Sequence, residues 1–272
     1  MTVKSFIKKT VKTIFPYAVV LAKKIRNKKS LLFFQKNKKS VDTIAELLAD
    51  ERSKEVYLGV INARCGLGEF SDFYTKQTQY FENEFFEYSK DEFLLDCGAY
   101  TGDTIDEFIK FVPDYKGIIS FEPTPAIFEM LKKKHGDNPK IKLINKGVWG
   151  EVSKLTFVMG SNTDDDHFGA GNAISNKANS NTTIDVTSID ALNLQEKVTF
   201  IKMDIEGAEL EALKGSTGTI LRDKPRLAVC IYHSNNDMIR IAEYIHEIMP
   251  EYKLYVRHHW LNDWETVLYA CI

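Results

Sequence analysis

The residues best suited to chemistry fall in three short blocks and one histidine. The run Asp96-Cys97-Gly98-Ala99-Tyr100-Thr101-Gly102-Asp103-Thr104 closes an apolar stretch and opens an amphipathic one, so its glycines sit where a strand turns into a helix. Gly98 and Gly102 let the backbone approach a ligand there, and the helix presents free N–H groups and its positive dipole end to an anionic group. Glu122 closes the next apolar stretch, where an acid can accept both hydroxyl hydrogens of a ribose. Two strand ends thus agree on a nucleoside ligand. The turn is not the G-x-G-x-x-G of a dinucleotide site, and no G-x-x-x-x-G-K-[ST] run exists. Asp96 would repel a pyrophosphate but suits the ammonium of an amino-acid moiety, as in S-adenosylmethionine. The third block is Lys202-Met203-Asp204-Ile205-Glu206-Gly207-Ala208-Glu209, and His233 follows Cys230-Ile231-Tyr232.

Residues from separate stretches meet only if the elements bring them together. After Asp91 the chain alternates strand and helix signals. Strands are expected at Phe93–Asp96, Gly117–Phe121, Ile141–Ile144, Val198–Met203, Leu227–Tyr232, Tyr252–Val256 and Thr266–Cys271, with shorter ones at Lys154–Met159 and Thr183–Thr187. Between them lie a helix with Ile105, Phe108, Ile109 and Val112 on one face, another capped by Thr124 with Pro125 first, one from Glu206 to Lys214, and one ending near Pro250. This order implies right-handed βαβ units, a mainly parallel sheet and a terminal antiparallel hairpin, with ligands at the carboxyl ends of the strands. Upstream the pattern is helical: Asp42 is expected to cap a run bearing Ile44, Leu47 and Leu48, and Gly66 to end the next segment. The aromatics of 70–93 read as packing between this front and the sheet.

Composition supports a buried core, being 44% hydrophobic over 272 residues. The net charge of −2 hides a division: residues 1–41 carry 12 Lys or Arg and no acid, leaving −14 on the remainder. Val3, Phe6, Ile7, Val11, Ile14 and Phe15 recur at helical spacing among lysines, which suits either a peripheral contact of residues 1–30 with an anionic membrane or a helix packed on the main domain. Nucleic-acid binding is not expected, since no recognition motif accompanies the charge. Cys65, Cys97, Cys230 and Cys271 are scattered, against a zinc site or a disulfide framework. The nine-residue apolar run Ile14–Ala22 is too short to span a bilayer and is followed by lysines rather than a cleavage site, so a cytoplasmic protein, or one at the inner face of a membrane, is expected. Asp164, Asp165, Asp166 and His167 lack the spacing of a calcium loop; they read as an acidic loop over the site, and no metal is expected.

The Phe93–Thr104 stretch, Phe121-Glu122-Pro123 and Lys202–Glu209 resemble the signature blocks of FkbM-type, S-adenosylmethionine-dependent methyltransferases. Gln79-Tyr80-Phe81 and the tail from Tyr252 through Arg257-His258-His259 to Ala270 resemble one branch of that family, whereas Tyr100-Thr101 departs from its common Asn-aliphatic pair. The resemblance implies an α/β, Rossmann-like class I methyltransferase with a seven-stranded sheet over 79–272, preceded by a basic helical region over 1–78. It implies that Asp96, Gly98, Ala99 and Gly102 wrap the methionine part, with Thr104 on its carboxylate. Glu122 would take the ribose, Pro123 and Gly147-Val148-Trp149 would frame the adenine, and Asp204 would lie beside the sulfur. Asp204 can also cap the helix that follows. Transfer to a hydroxyl needs a base, and Asp204, Glu206 and His233 are the candidates. The expected acceptor is a sugar, glycan or related natural product; the aromatic-proline motif of many N-methyltransferases is absent. The alternative is a membrane-associated accessory protein that retains the fold without catalysis.

Overall fold

The alternating apolar and amphipathic stretches fold as βαβ units. The structure is a computed structural model that describes residues 23–81, 84–158, 173–174 and 182–272. Along the chain come helical residues 23–36 (α1), α2 (Lys38–Leu47), α3 (Glu51–Arg64), β1 (Phe93–Cys97), α4 (Asp103–Phe111), β2 (Gly117–Phe121), α5 (Pro125–His135) and β3 (Ile141–Ile144). Short strands β4 (Gly147–Val148), β5 (Ser153–Val158), β6 (Ala173–Ile174) and β7 (Thr182–Thr187) follow. The chain then runs through β8 (Phe200–Met203), α6 (Glu209–Lys214), α7 (Thr217–Asp223), β9 (Arg226–Cys230), α8 (Asp237–Ile248), β10 (Lys253–His258) and β11 (Thr266–Cys271).

Seven strands form one sheet in the order β10-β11-β9-β8-β1-β2-β3, in which only β11 runs antiparallel to its neighbours. This is the Rossmann-like arrangement expected of a class I methyltransferase. Every residue of β1 and β2 is buried, because helices cover both faces, and the strands therefore read as continuous apolar runs. The order places β1 between β2 and β8, at the reversal of strand order where a doubly wound sheet opens its crevice. The strands β4, β7, β5 and β6 make a second, smaller sheet.

The helical front packs against the far edge. Ile44, Val56, Tyr57 and Val60 share one apolar cluster with Leu254, Val256 and Leu268. Ser53 Oγ accepts the Val256 N–H at 2.9 Å, and the buried Arg257 guanidinium donates to Asp50 at 3.0 Å, Ser53 at 2.8 Å and Glu84. Asp42 is not a cap. It lies inside α2 and pairs with Lys38, because the face carrying Val41 and Ile44 extends the helix back one turn. The side-chain cap belongs to Asp50, which accepts from Ser53 N and starts α3, while Gly66 at φ +77° ends it as expected. The four cysteines are buried free thiols. Among the described residues no helix is long and apolar enough to cross a membrane. The apolar repeat at 3–15 and the acidic loop at 163–172 lie outside the described residues.

Candidate active site

Backbone geometry builds the first half of the site. β1 ends at Cys97, after which Gly98 N and Ala99 N both donate to the Phe121 carbonyl, at 3.0 and 2.9 Å, and fold the turn over the end of β2. Gly98 (φ +86°) faces the Asp204 carbonyl so closely that a Cβ would stand 1.9 Å from that oxygen. Gly102 (φ +87°) starts α4 against His135 and Leu131. Glu122, 6% exposed, accepts from Tyr100 N at 3.2 Å and Thr124 N at 2.7 Å. Burial pushes its pKa up, against those two N–H donors. Each oxygen keeps further acceptor capacity, as two ribose hydroxyls would require. Thr104 is buried in the first turn of α4, Pro123 stands beside Gly147, and Val148 is buried behind it.

A row of polar residues crosses this half. Strand register sets Asp96 opposite Ser120 on β2 and Lys202 on β8. Ser120 donates to Asp96 at 3.2 Å; Lys202 Nζ lies 3.3 Å from Asp96 Oδ1 and donates to the Gly98 carbonyl at 2.7 Å. Lys202 also lies over the Tyr80 ring, 5.3 Å from its centroid. Burial opposes its charge, but Asp96 and Asp204 outweigh burial and keep it an ammonium. Asp96 Oδ1 is buried and accepts no hydrogen bond of good geometry, its nearest charge being the Lys202 ammonium.

The second half is built from side-chain charge. The segment after β8 does not continue as helix from Glu206: Glu206 (φ 59°) and Gly207 (φ 93°) are left-handed, and α6 begins at Glu209. Asp204 therefore does not cap a helix. Its carboxylate accepts from Tyr80 Oη and Tyr232 Oη, each at 3.0 Å, and meets His233 Nε2 at 3.1 Å, while Ile205 N bonds to Glu209 instead. His233 Nε2 is also 3.1 Å from Glu209 Oε1, and Nδ1 lies 3.6 Å from Glu206. Burial would lower the His233 pKa, but Glu209 and Asp204 outweigh it and raise it well above 6.5. Burial likewise disfavours ionised Asp204, yet His233 and Lys202 hold it below the ordinary carboxylate range. Glu265, in the connection between β10 and β11, is bonded by Gln79, and burial together with the Asp204 charge pushes it up to about 7. Asp204, Glu209 and His233 offer ligand atoms within 4.8 Å of one another and could hold a cation, as could Asp204, Cys230 and Glu265.

The fold thus gathers the residues expected from sequence: Asp96, Gly98, Ala99, Gly102 and Glu122 on one side, Asp204, Glu206 and His233 on the other. It adds Lys202, Glu209, Tyr232, Glu265 and Tyr80. Lys202, Glu209, Tyr80 and Glu265 lie within the blocks that carry the resemblance, but residue type and spacing alone assign them no role.

The family model for the methyltransferase FkbM domain matches residues 96–256, more than half of the chain. The chain belongs to the FkbM methyltransferase family. Members of this family are S-adenosylmethionine-dependent, and the strand-end blocks that carry the resemblance all fall in or beside the crevice. The fold is similar to the crystal structure of the FkbM methyltransferase from Methylobacillus flagellatus KT, with a TM-score of 0.72 and 27% identity over 88% of this chain and 60% of that one. This chain therefore spans about three-fifths of that protein's length. A weaker likeness is to the Aeropyrum pernix fibrillarin solved with natively bound S-adenosyl-L-methionine, at 13% identity and TM-score 0.39, over 68% of this chain and 67% of that one. No curated protein sequence matches the chain.

Proposed function

We propose that this methyltransferase binds S-adenosylmethionine in the β1–β2 crevice and methylates a hydroxyl on a sugar, glycan or related natural product. The observation that carries the reading is the meeting at Gly98 of two halves: a glycine cradle flanked by Glu122 and Asp96, and the Asp204–His233 pair. Glu122 takes the ribose hydroxyls, Asp96 and the backbone of Gly98, Ala99 and Gly102 take the methionine part, Thr104 reaches its carboxylate, and Pro123 with Val148 borders the adenine. Bound there, the donor supplies a methyl group already activated on a sulfonium. The chain's own task is alignment, exclusion of water and removal of one proton. The methyl group would pass to the hydroxyl oxygen with the electron pair of the S–CH3 bond left on the donor sulfur. The hydroxyl proton passes to neutral His233, and Asp204 and Glu209 stabilise the resulting imidazolium. Asp204 and Glu209 both face Nε2 and hold its N–H, so the proton is taken at Nδ1, where Glu206 at 3.6 Å adds to the stabilisation of the imidazolium.

The test incubates the full chain with methyl-labelled donor and a panel of free and lipid-linked sugars, with mass spectrometry of the products. A methylated hydroxyl is expected, and Glu122→Ala should weaken donor binding roughly tenfold, the loss of one charged hydrogen-bonding group. Donor binding without any methylated product would favour the non-catalytic accessory reading.

A further inference from the structure

The connection between β10 and β11 carries Trp260 (53% exposed), Leu261 (64%) and Trp264 (37%) within five positions. Other exposed large apolar side chains among the described residues, such as Met130, Val152 and Leu221, stand apart along the sequence. Two tryptophans and a leucine on one turn are an unusual surface to leave in water. Because β11 alone is antiparallel, β10 points the same way as β1, and its connection leaves the sheet from the carboxyl edge, where the site lies.

The basic helix α1 is tied to this connection. Arg26 pairs with Asp263 at 2.8 Å, Arg64 donates to the Asp263 carbonyl at 3.1 Å and to the Tyr232 carbonyl, and Asn235 donates to Ser30 at 3.0 Å. Residues 23–36 include Lys23, Lys24, Lys28, Lys29 and Lys36, all exposed, and no acid. The two acids of the connection are occupied: Asp263 by Arg26, and Glu265 by Gln79. Exposed Ile25 and Leu32 lie on α1 among these lysines. Among the described residues the combined surface is apolar at the loop and, apart from Arg26, positive without acidic partners along the helix.

We propose that α1 and the 259–265 connection form a docking face for an anionic lipid bilayer. Trp260 and Leu261 enter the headgroup layer, where indole rings are favoured, and the α1 lysines face anionic headgroups. The face itself stands independently of the methyltransferase reading. Its consequence, that the acceptor is presented at a membrane surface, rests on that reading.

The experiment is co-sedimentation of the full chain with vesicles of phosphatidylcholine alone and of phosphatidylcholine containing phosphatidylglycerol, with tryptophan emission and analytical ultracentrifugation alongside. Binding to the anionic vesicles is expected, with a blue shift in emission, loss in high salt, and a drop of about tenfold in the Trp260→Ser/Leu261→Ser variant. A Lys24→Glu/Lys28→Glu variant should lose the preference for anionic vesicles. Unchanged S-adenosylmethionine binding by both variants establishes that they fold and separates this proposal from the donor assignment. The proposal is overturned if the wild type ignores anionic vesicles, if the Trp260/Leu261 variant sediments like wild type, or if that variant instead dissociates a dimer, which would make the face a contact with a second copy.

Discussion

The two halves of the crevice are held in different ways. Around Gly98 and Glu122, backbone groups make the bonds: Gly98 N and Ala99 N to Phe121, Tyr100 N and Thr124 N to Glu122. Around Asp204, side chains make them, with Tyr80, Tyr232 and His233 converging on one carboxylate. A backbone-built half has little freedom and suits a ligand of fixed shape such as a cofactor. A half built from side-chain charge can be retuned by single substitutions.

The largest effect should come from Gly98→Ala, where a positive φ and a Cβ 1.9 Å from the Asp204 carbonyl leave no accommodation. Calorimetry should show donor binding lost beyond detection; affinity within a few-fold of wild type would mean that the backbone does not set this half. Lys202→Met leaves Asp96 buried without its cation, which should cost about 3–5 kcal/mol in denaturant unfolding. A loss below about 1 kcal/mol would show that the polar row is not a brace.

His233→Gln should spare donor affinity while lowering the transfer rate by about two to four orders of magnitude. A base works only when deprotonated, and carboxylates raise the His233 pKa, so the wild-type rate should climb with pH through a value above 6.5. That rising limb should vanish in the variant, and its persistence would assign the proton to another group. A smaller effect concerns the scaffold under the second half. Burial holds His258 and His259 down at about 4, below their unfolded value of about 6.5. Their contribution is therefore complete above the unfolded value and lost as pH falls toward 4, by up to about 3 kcal/mol per histidine. Denaturation at pH 7 and pH 5 should differ in that direction, and His258→Phe should reduce the difference.

The same contrast governs how much was legible in the sequence. The donor half is local: glycines after an apolar run, then an acid at the next strand end, specify turns from adjacent residues. The sheet was legible for the same reason, since β1, β2 and β8 announce themselves as short apolar runs. The second half draws Tyr80, Asp204, Tyr232, His233 and Glu265 from four distant stretches, and the strand order β11-β9-β8 brings all but Tyr80 together. Lys202 was hidden because a lysine within a strand ordinarily signals an exposed face, whereas register places it beside Asp96. Glu206 looked like the start of a helix because its strain is in backbone dihedrals, which residue type does not announce. Asp42 reads as a cap because it precedes Ile44 and Leu47, but α2 starts a turn earlier, after Asn37, and the side-chain cap from Asp50 serves the next helix.

The contact between Gly98 and the Asp204 carbonyl joins the halves directly, with no side chain between to act as a cushion, and the bond from Asp204 N to the Cys97 carbonyl lies beside it. A ligand that moves the glycine loop would press on the turn from which Asp204 reaches His233, and any such coupling is reciprocal. With the function proposed above, an acceptor should bind more tightly to the donor-loaded chain than to the empty one, by the factor with which it tightens the donor in return.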